Sequence, residues 1–118
     1  MLVSRIFTFD SAHQLREYRG KCENLHGHTY RLQVTLDCPV GADGLAFDFV
    51  RLKEEVQGKV LDRLDHVFLN EIIPQPTAEH IAIWIWKELA ALPLAEITVG
   101  ETPTCFVTYR GEGSPRPA

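Results

Sequence analysis

Between Tyr30 and Cys38 the chain alternates without a break. Tyr30, Leu32, Val34, Leu36 and Cys38 occupy the even positions, while Thr29, Arg31, Gln33, Thr35 and Asp37 occupy the odd ones. Successive side chains of an extended strand point to opposite faces, so a period of two over this length predicts a strand from His28 with one buried face.

The flanking segments fall into a compatible order. Val3 to about His13, rich in Val, Ile, Phe and Thr, reads as a first strand with imperfect alternation. PVGADG at 39–44 is turn chemistry. Asp48 then stands where it can cap a helix whose apolar positions Phe49, Leu52, Val56, Val60 and Leu64 recur at three- and four-residue steps. Gly58 weakens that helix without forbidding it. Thr77, in PTAEH, can accept a bond from an orphan backbone N–H of a second helix, which runs through Ile81, Trp84, Ile85 and Leu89 and is ended by Pro93. EITVGETPTCFVTYRGE predicts two strands joined by a turn around Glu101 to Thr104, with Ile97 and Val99, then Cys105, Val107 and Tyr109, on alternating positions. The order is ββααββ. Runs of strands flanking a helix pair predict an α+β domain, an antiparallel sheet with both helices on one face. Open sheet edges and an unusually apolar second helix favour a homo-oligomer over a monomer.

Composition bounds the rest. The 118 residues, 45% of them hydrophobic, suffice for one core, so 1–118 reads as a single domain with a loose tail from about 112. A net charge of −4 argues against nucleic acid as a partner. The most apolar run, IAIWIW, stops at Lys87, far short of the roughly 20 residues that span a bilayer, so no membrane partner is expected. Cys22, Cys38 and Cys105 form no CxxC pair and cannot all be bridged within one chain, which fits a reducing compartment. With no secretory pattern at the N-terminus, the expected location is the cytoplasm.

The chemistry concentrates in CENLHGH, residues 22–28, which holds a thiol and two of the five histidines. In extended backbone His26 and His28 point to one face, and Gly27 leaves room for close backbone approach. His13 reaches the same end of the sheet if the first two strands form an antiparallel hairpin. Three imidazoles with a fourth position open are the donor set of a catalytic zinc, although HxH alone is a weak signal and surface or satisfied core histidines are the ordinary explanation. Cys22 admits two exclusive roles, fourth ligand of a closed structural site or free thiolate. Asp65 and His66 adjoin in LDHVFLN, a pairing used in general acid–base catalysis and equally common as a helix-end ion pair. His80 and Cys38 are assigned to structure.

Together, FDSAHQL around His13, CENLHGHTY around Cys22, FDF at 47–49, LDHVFLN, PTAEHIA and the late Glu of GETPT resemble the 6-pyruvoyltetrahydropterin synthase family, in the family's order and over nearly the whole chain. The short chain, the C-x-x-x-H-G-H spacing and the terminal YRGE are most similar to the queuosine-pathway branch that forms 6-carboxytetrahydropterin. The resemblance implies a tunnelling fold (T-fold), in which ββααββ units assemble into an oligomeric barrel, hexameric in the family, with active sites at subunit interfaces. It implies Zn²⁺ held by His13, His26 and His28, a catalytic thiol at Cys22, and an Asp65–His66 pair contributed by an adjoining subunit. A pterin-anchoring carboxylate falls on Glu101 and, more weakly, a ring-edge contact on Thr77.

The implied reaction converts 7,8-dihydroneopterin triphosphate to 6-carboxy-5,6,7,8-tetrahydropterin, releasing triphosphate and acetaldehyde. Zinc would lower the pKa of the side-chain hydroxyls while Cys22 removes a carbon-bound proton. The triphosphate needs cations. Arg16, Arg19 and Lys21, on the loop between His13 and Cys22, are the candidates, weighed against a plain solvated loop face. Two rivals stand beside this reading. One is another pterin-processing member, such as the pyruvoyl-forming synthase or a folate-type variant; the latter is disfavoured because it usually carries Glu where this chain has Cys22. The other is a non-enzymatic module in which Cys22, His13, His26 and His28 close a structural zinc site.

Overall fold

The computed structural model describes residues 1–17 and 24–113. Strand β1 (Leu2–His13) pairs antiparallel with β2 (His26–Asp37) in unbroken register, from Leu2 opposite Asp37 to His13 opposite His26. β3 (Leu94–Thr102) adds to β2 and β4 (Cys105–Tyr109) to β3, giving an antiparallel sheet in the order β1-β2-β3-β4. Residues opposite each other share a face. Val3, Phe7 and Phe9 of β1 therefore meet Leu36, Leu32 and Tyr30 of β2 beneath the helices. Tyr30, Leu32, Val34 and Leu36 lose all exposure, each contributing at most roughly 1.5–3 kcal/mol. The break in the alternation of β1 is Arg5, whose guanidinium escapes the covered face to donate to the carbonyl of Phe49 at 3.0 Å.

Helix α1 (Phe49–Val56) begins as its cap predicts, with the Asp48 carboxylate accepting from the Val50 N–H at 2.8 Å. It then widens into a π-helical turn (Gln57–Leu61) before the short α2 (Asp62–Leu64). The apolar spacing explains the wide turn. Leu52, Val56, Val60 and Leu64 recur every four residues, and in a regular α-helix each such step drifts by about 40° around the axis. One wider turn takes up the drift, so all four are fully buried. Phe49 departs from the expected stripe: it is 57% exposed at the very start of the helix, with no preceding turn to carry it over the sheet.

Helix α3 (Ala78–Glu88) is capped by the Thr77 hydroxyl, which accepts from the His80 N–H at 3.1 Å. It buries Ile81, Ala82 and Ile85 against β3 and β4. Trp84, expected in the same stripe, is half-buried beneath the Arg63 guanidinium at 4.8 Å, and Trp86 meets Tyr109 edge-on at 5.4 Å. Gly111, at φ +83°, lies where a Cβ would come within 2.9 Å of the Trp86 ring. No helix among the described residues is long and apolar enough to cross a membrane.

The β3–β4 connection differs from its sequence expectation. The turn is confined to Pro103 and Thr104, and Glu101 belongs to β3, at a bulge where Gly100 pairs with Phe106 but the next pair is Thr102 with Cys105. A bulge re-aims the side chain it carries, which gives this carboxylate its direction. Cys105, which begins β4, is exposed.

Candidate metal centre

The antiparallel register sets His13 directly opposite His26, and His28 follows two residues further along the same face. The His13 and His26 rings approach to 3.0 Å between their Nε2 atoms. Each ring is tied from behind. His13 Nδ1 lies 2.8 Å from the carbonyl of Pro76, and His26 Nδ1 lies 2.8 Å from the carbonyl of Asn24. A carbonyl only accepts, so each Nδ1 carries a hydrogen, which leaves Nε2 as the ring nitrogen turned towards the centre. Gly27 has a looser role than expected, since a Cβ there would make only ordinary contact with the Ser11 carbonyl at 3.5 Å.

Glu101 completes the cluster. Its Oε1 lies 2.9 Å from His28 Nε2 and 3.4 Å from His13 Nε2. The His28 contact is short, yet the buried Nε2 is poorly aligned with the carboxylate for a hydrogen bond. Burial lowers the pKa of His28, the Glu101 charge opposes that shift, and His13 and His26 add to it. Four potential ligand atoms within 4.8 Å of one another are an arrangement a cation stabilises. Three imidazole nitrogens and a carboxylate oxygen fit a zinc ion. Beneath them lies Tyr30, fully buried, its ring 5.5 Å from His28 and its hydroxyl without a hydrogen-bond partner. Burial first, and Glu101 second, push the Tyr30 phenol far above its usual range.

Asp65 and His66 form a separate group. Their segment runs beside the open edge of β1, where His66 N–H donates to the Asp10 carbonyl at 2.6 Å and Ala12 N–H to that of Val67 at 3.1 Å. That end of the edge, from Asp10 to Ala12, is thereby satisfied. His66 sits at φ +58°, a costly conformation for a residue with a Cβ, with its side chain 77% exposed. Its Nδ1 lies 2.9 Å from Asp65 Oδ1, which also accepts the Asp10 N–H at 2.9 Å. That backbone bond, with His66 adding to it, holds the Asp65 carboxyl below its ordinary value. Asp10, not singled out from sequence, joins the pair and accepts from Thr29, its neighbour across the β1–β2 register. Within one chain the dyad and the imidazoles are two clusters, not one.

The remaining expected residues are spread more widely. Thr77 holds the start of α3 through its hydroxyl. Arg16 is exposed, and its backbone N–H and carbonyl are gripped by the Gln75 side-chain amide at 2.8 and 2.9 Å. Asn70 grips Gln14 in the same way, at 2.9 and 2.7 Å. Cys22, Arg19 and Lys21 lie outside the described residues. Sequence reasoning missed the two amide clamps, since Asn and Gln in loops carry no periodic signal. It also missed Arg31, which lines an open cleft beside His28 and Glu101; Arg31 read as one polar position of an alternating strand.

Comparison with known proteins bears on the chain as a whole. The family described as 6-pyruvoyl tetrahydropterin synthase matches residues 2–112. The 6-carboxy-5,6,7,8-tetrahydropterin synthase of Haemophilus influenzae is 36% identical, over 92% of this chain and 97% of its own. The 6-pyruvoyl tetrahydrobiopterin synthase of Dictyostelium discoideum is 35% identical, over 95% and 97%. The structure of Caenorhabditis elegans 6-pyruvoyl tetrahydropterin synthase superposes with a TM-score of 0.84 at 30% identity, covering 95% of this chain and 96% of that one.

Proposed function

This chain belongs to the 6-pyruvoyl tetrahydropterin synthase family, a family of pterin-processing enzymes sharing its four-stranded T-fold, and from that premise we propose a specific activity. The chain converts 7,8-dihydroneopterin triphosphate and one water to 6-carboxy-5,6,7,8-tetrahydropterin, triphosphate and acetaldehyde, in queuosine biosynthesis in the cytoplasm. The observation that carries the reading is the convergence of His13, His26 and His28, two of them locked by backbone carbonyls so that Nε2 faces the centre. A zinc ion held by these three residues would supply Lewis-acid polarisation of the substrate's side-chain hydroxyls.

The protein's own groups divide the remaining work. Cys22, on the segment leading into His26, removes a carbon-bound proton. Asp65 orients His66, and the pair moves protons as triphosphate leaves; being exposed at the β1 edge, it serves the centre of a neighbouring subunit in a homo-oligomer. Glu101 and Thr77 hold the pterin ring, and Arg16 and Lys21 meet the triphosphate.

The near-equal identity to a carboxy-forming and a pyruvoyl-forming relative, 36% against 35%, favours keeping the pyruvoyl-forming reaction as a second reading. Product analysis separates the two. Incubation with dihydroneopterin triphosphate is expected to release acetaldehyde, and release of none would sink the carboxy-forming reading. Cys22→Ala should keep its zinc while turnover falls by about 10²–10⁴-fold. Loss of zinc from that variant would instead mark Cys22 as a ligand of a closed site.

A further inference from the structure

The three histidines and Glu101 differ in how firmly they are held. His13 and His26 are each fixed through Nδ1 to a backbone carbonyl, and His13 is completely buried. Among the described residues, the polar contacts of the Glu101 carboxylate are the two imidazoles, and its side chain is 31% exposed. It stands at the mouth of an open cleft of about 480 Å³ that Thr29, Arg31, Thr102 and Pro103 also line. The β3 bulge nonetheless turns its Oε1 inward.

The spacing of the donors is informative. Ligand atoms about 2.0–2.1 Å from a tetrahedral zinc are separated from each other by roughly 3.3–3.4 Å. The observed separations are 3.0 Å between His13 and His26, 2.9 Å between His28 and Glu101, and 3.4 Å between His13 and Glu101. Three of the six separations are therefore close to the edge of one coordination tetrahedron, and all four ligand atoms lie within 4.8 Å of one another. A buried His28 Nε2 poorly aligned with its nearest oxygen agrees with a nitrogen left for a cation.

We infer that Glu101 is a fourth, displaceable donor to a divalent cation held by His13, His26 and His28: it closes the site in the ligand-free protein and gives way to a ligand entering from the cleft. The inference rests on the zinc part of the function proposed above. It leaves Cys22 no place in the tetrahedron. It also makes entry to the centre a competition between an incoming oxygen or nitrogen donor and a carboxylate already in place.

Cobalt(II) substitution, with azide as an exogenous donor, reads the fourth position directly. In the wild-type protein the visible bands should lack sulfur-to-cobalt charge transfer and respond weakly to azide. Glu101→Gln should weaken zinc binding at least ~10-fold in chelator competition and bind azide at least ~10-fold more tightly at the cobalt. Glu101→Ala, at a part-exposed site, provides a second variant. Unchanged zinc affinity and azide response in both would overturn the inference. A sulfur charge-transfer band in the wild-type protein, lost in Cys22→Ala, would overturn it from the other side. These readouts need no turnover: absent acetaldehyde with the expected spectra defeats the assigned reaction and leaves the Glu101 site intact.

Discussion

The two titratable clusters of this chain are built on opposite plans. The imidazole cluster stands on two strands in unbroken register, faces the helices, and has backbone carbonyls behind His13 and His26. The Asp65–His66 pair stands on an irregular segment at a sheet edge, with a left-handed backbone at His66 and an imidazole 77% exposed. Rigid placement around a buried His13 suits holding a cation in fixed geometry. An exposed imidazole beside one carboxylate has an orienting partner but nothing to exclude water from it. The first cluster draws four potential ligands from one chain among the described residues, whereas the second has the character of half a site.

Removing one member from each cluster should break this contrast most sharply. His26→Ala should abolish zinc retention and activity together, whereas His66→Ala should keep zinc and lower kcat by about 10²–10⁴-fold. If the dyad serves a neighbouring subunit, co-expressing the two variants restores function. Random mixing leaves about a quarter of the sites with both halves intact, and activity should recover to that share. Zinc content and specific activity of the purified hetero-oligomer check this. Recovery no greater than that of the separate variants would mean that each dyad serves its own chain.

The same contrast explains what was legible in the sequence. The alternation from Tyr30 to Cys38 fixes which residues of β2 face the helices, and antiparallel pairing then brings His13 to His26; both are local rules of strand geometry. The caps at Asp48 and Thr77 were readable for the same reason. Glu101 was identified but set in a turn, because a bulge has no composition signal in a run such as GET. The π-helical turn was hidden in a four-residue spacing that ordinary helical periodicity tolerates. The segment from Asp65 to Phe68 joins the β1 edge through backbone groups, which no side-chain pattern announces.

Tyr30 sharpens the contrast on the buried side. Its hydroxyl lies beneath the imidazoles with no hydrogen-bond partner, and an unsatisfied buried group of that kind costs roughly 1–3 kcal/mol. Tyr30→Phe keeps the ring stacked on Phe9 and deletes only the orphan. The metal-free variant should be more stable than wild type by about 1 kcal/mol in urea unfolding at equal protomer concentration. A loss of stability would reveal that the hydroxyl has a partner, and the buried cluster would then not be complete within one subunit.

The exposed side should respond weakly, and only in acid. The Asp10 N–H, with His66 adding to it, stabilises the ionised Asp65 carboxylate, so its folded-state pKa lies below the reference value of 3.8. A carboxyl depressed on folding binds more protons in the unfolded state. Its contribution is complete above the unfolded value and is lost as pH falls through the folded one. Wild type should therefore lose stability relative to Asp65→Asn below about pH 4 and hold a constant difference above it. Because the Asp65 side chain is 38% exposed, solvent screening limits the effect to roughly 0.5 kcal/mol. Urea midpoints of both proteins between pH 3 and pH 6 read that difference. A gap several times larger would mean that the carboxylate is buried in the assembled protein, closing the dyad against a neighbouring subunit and erasing the distinction between the two clusters.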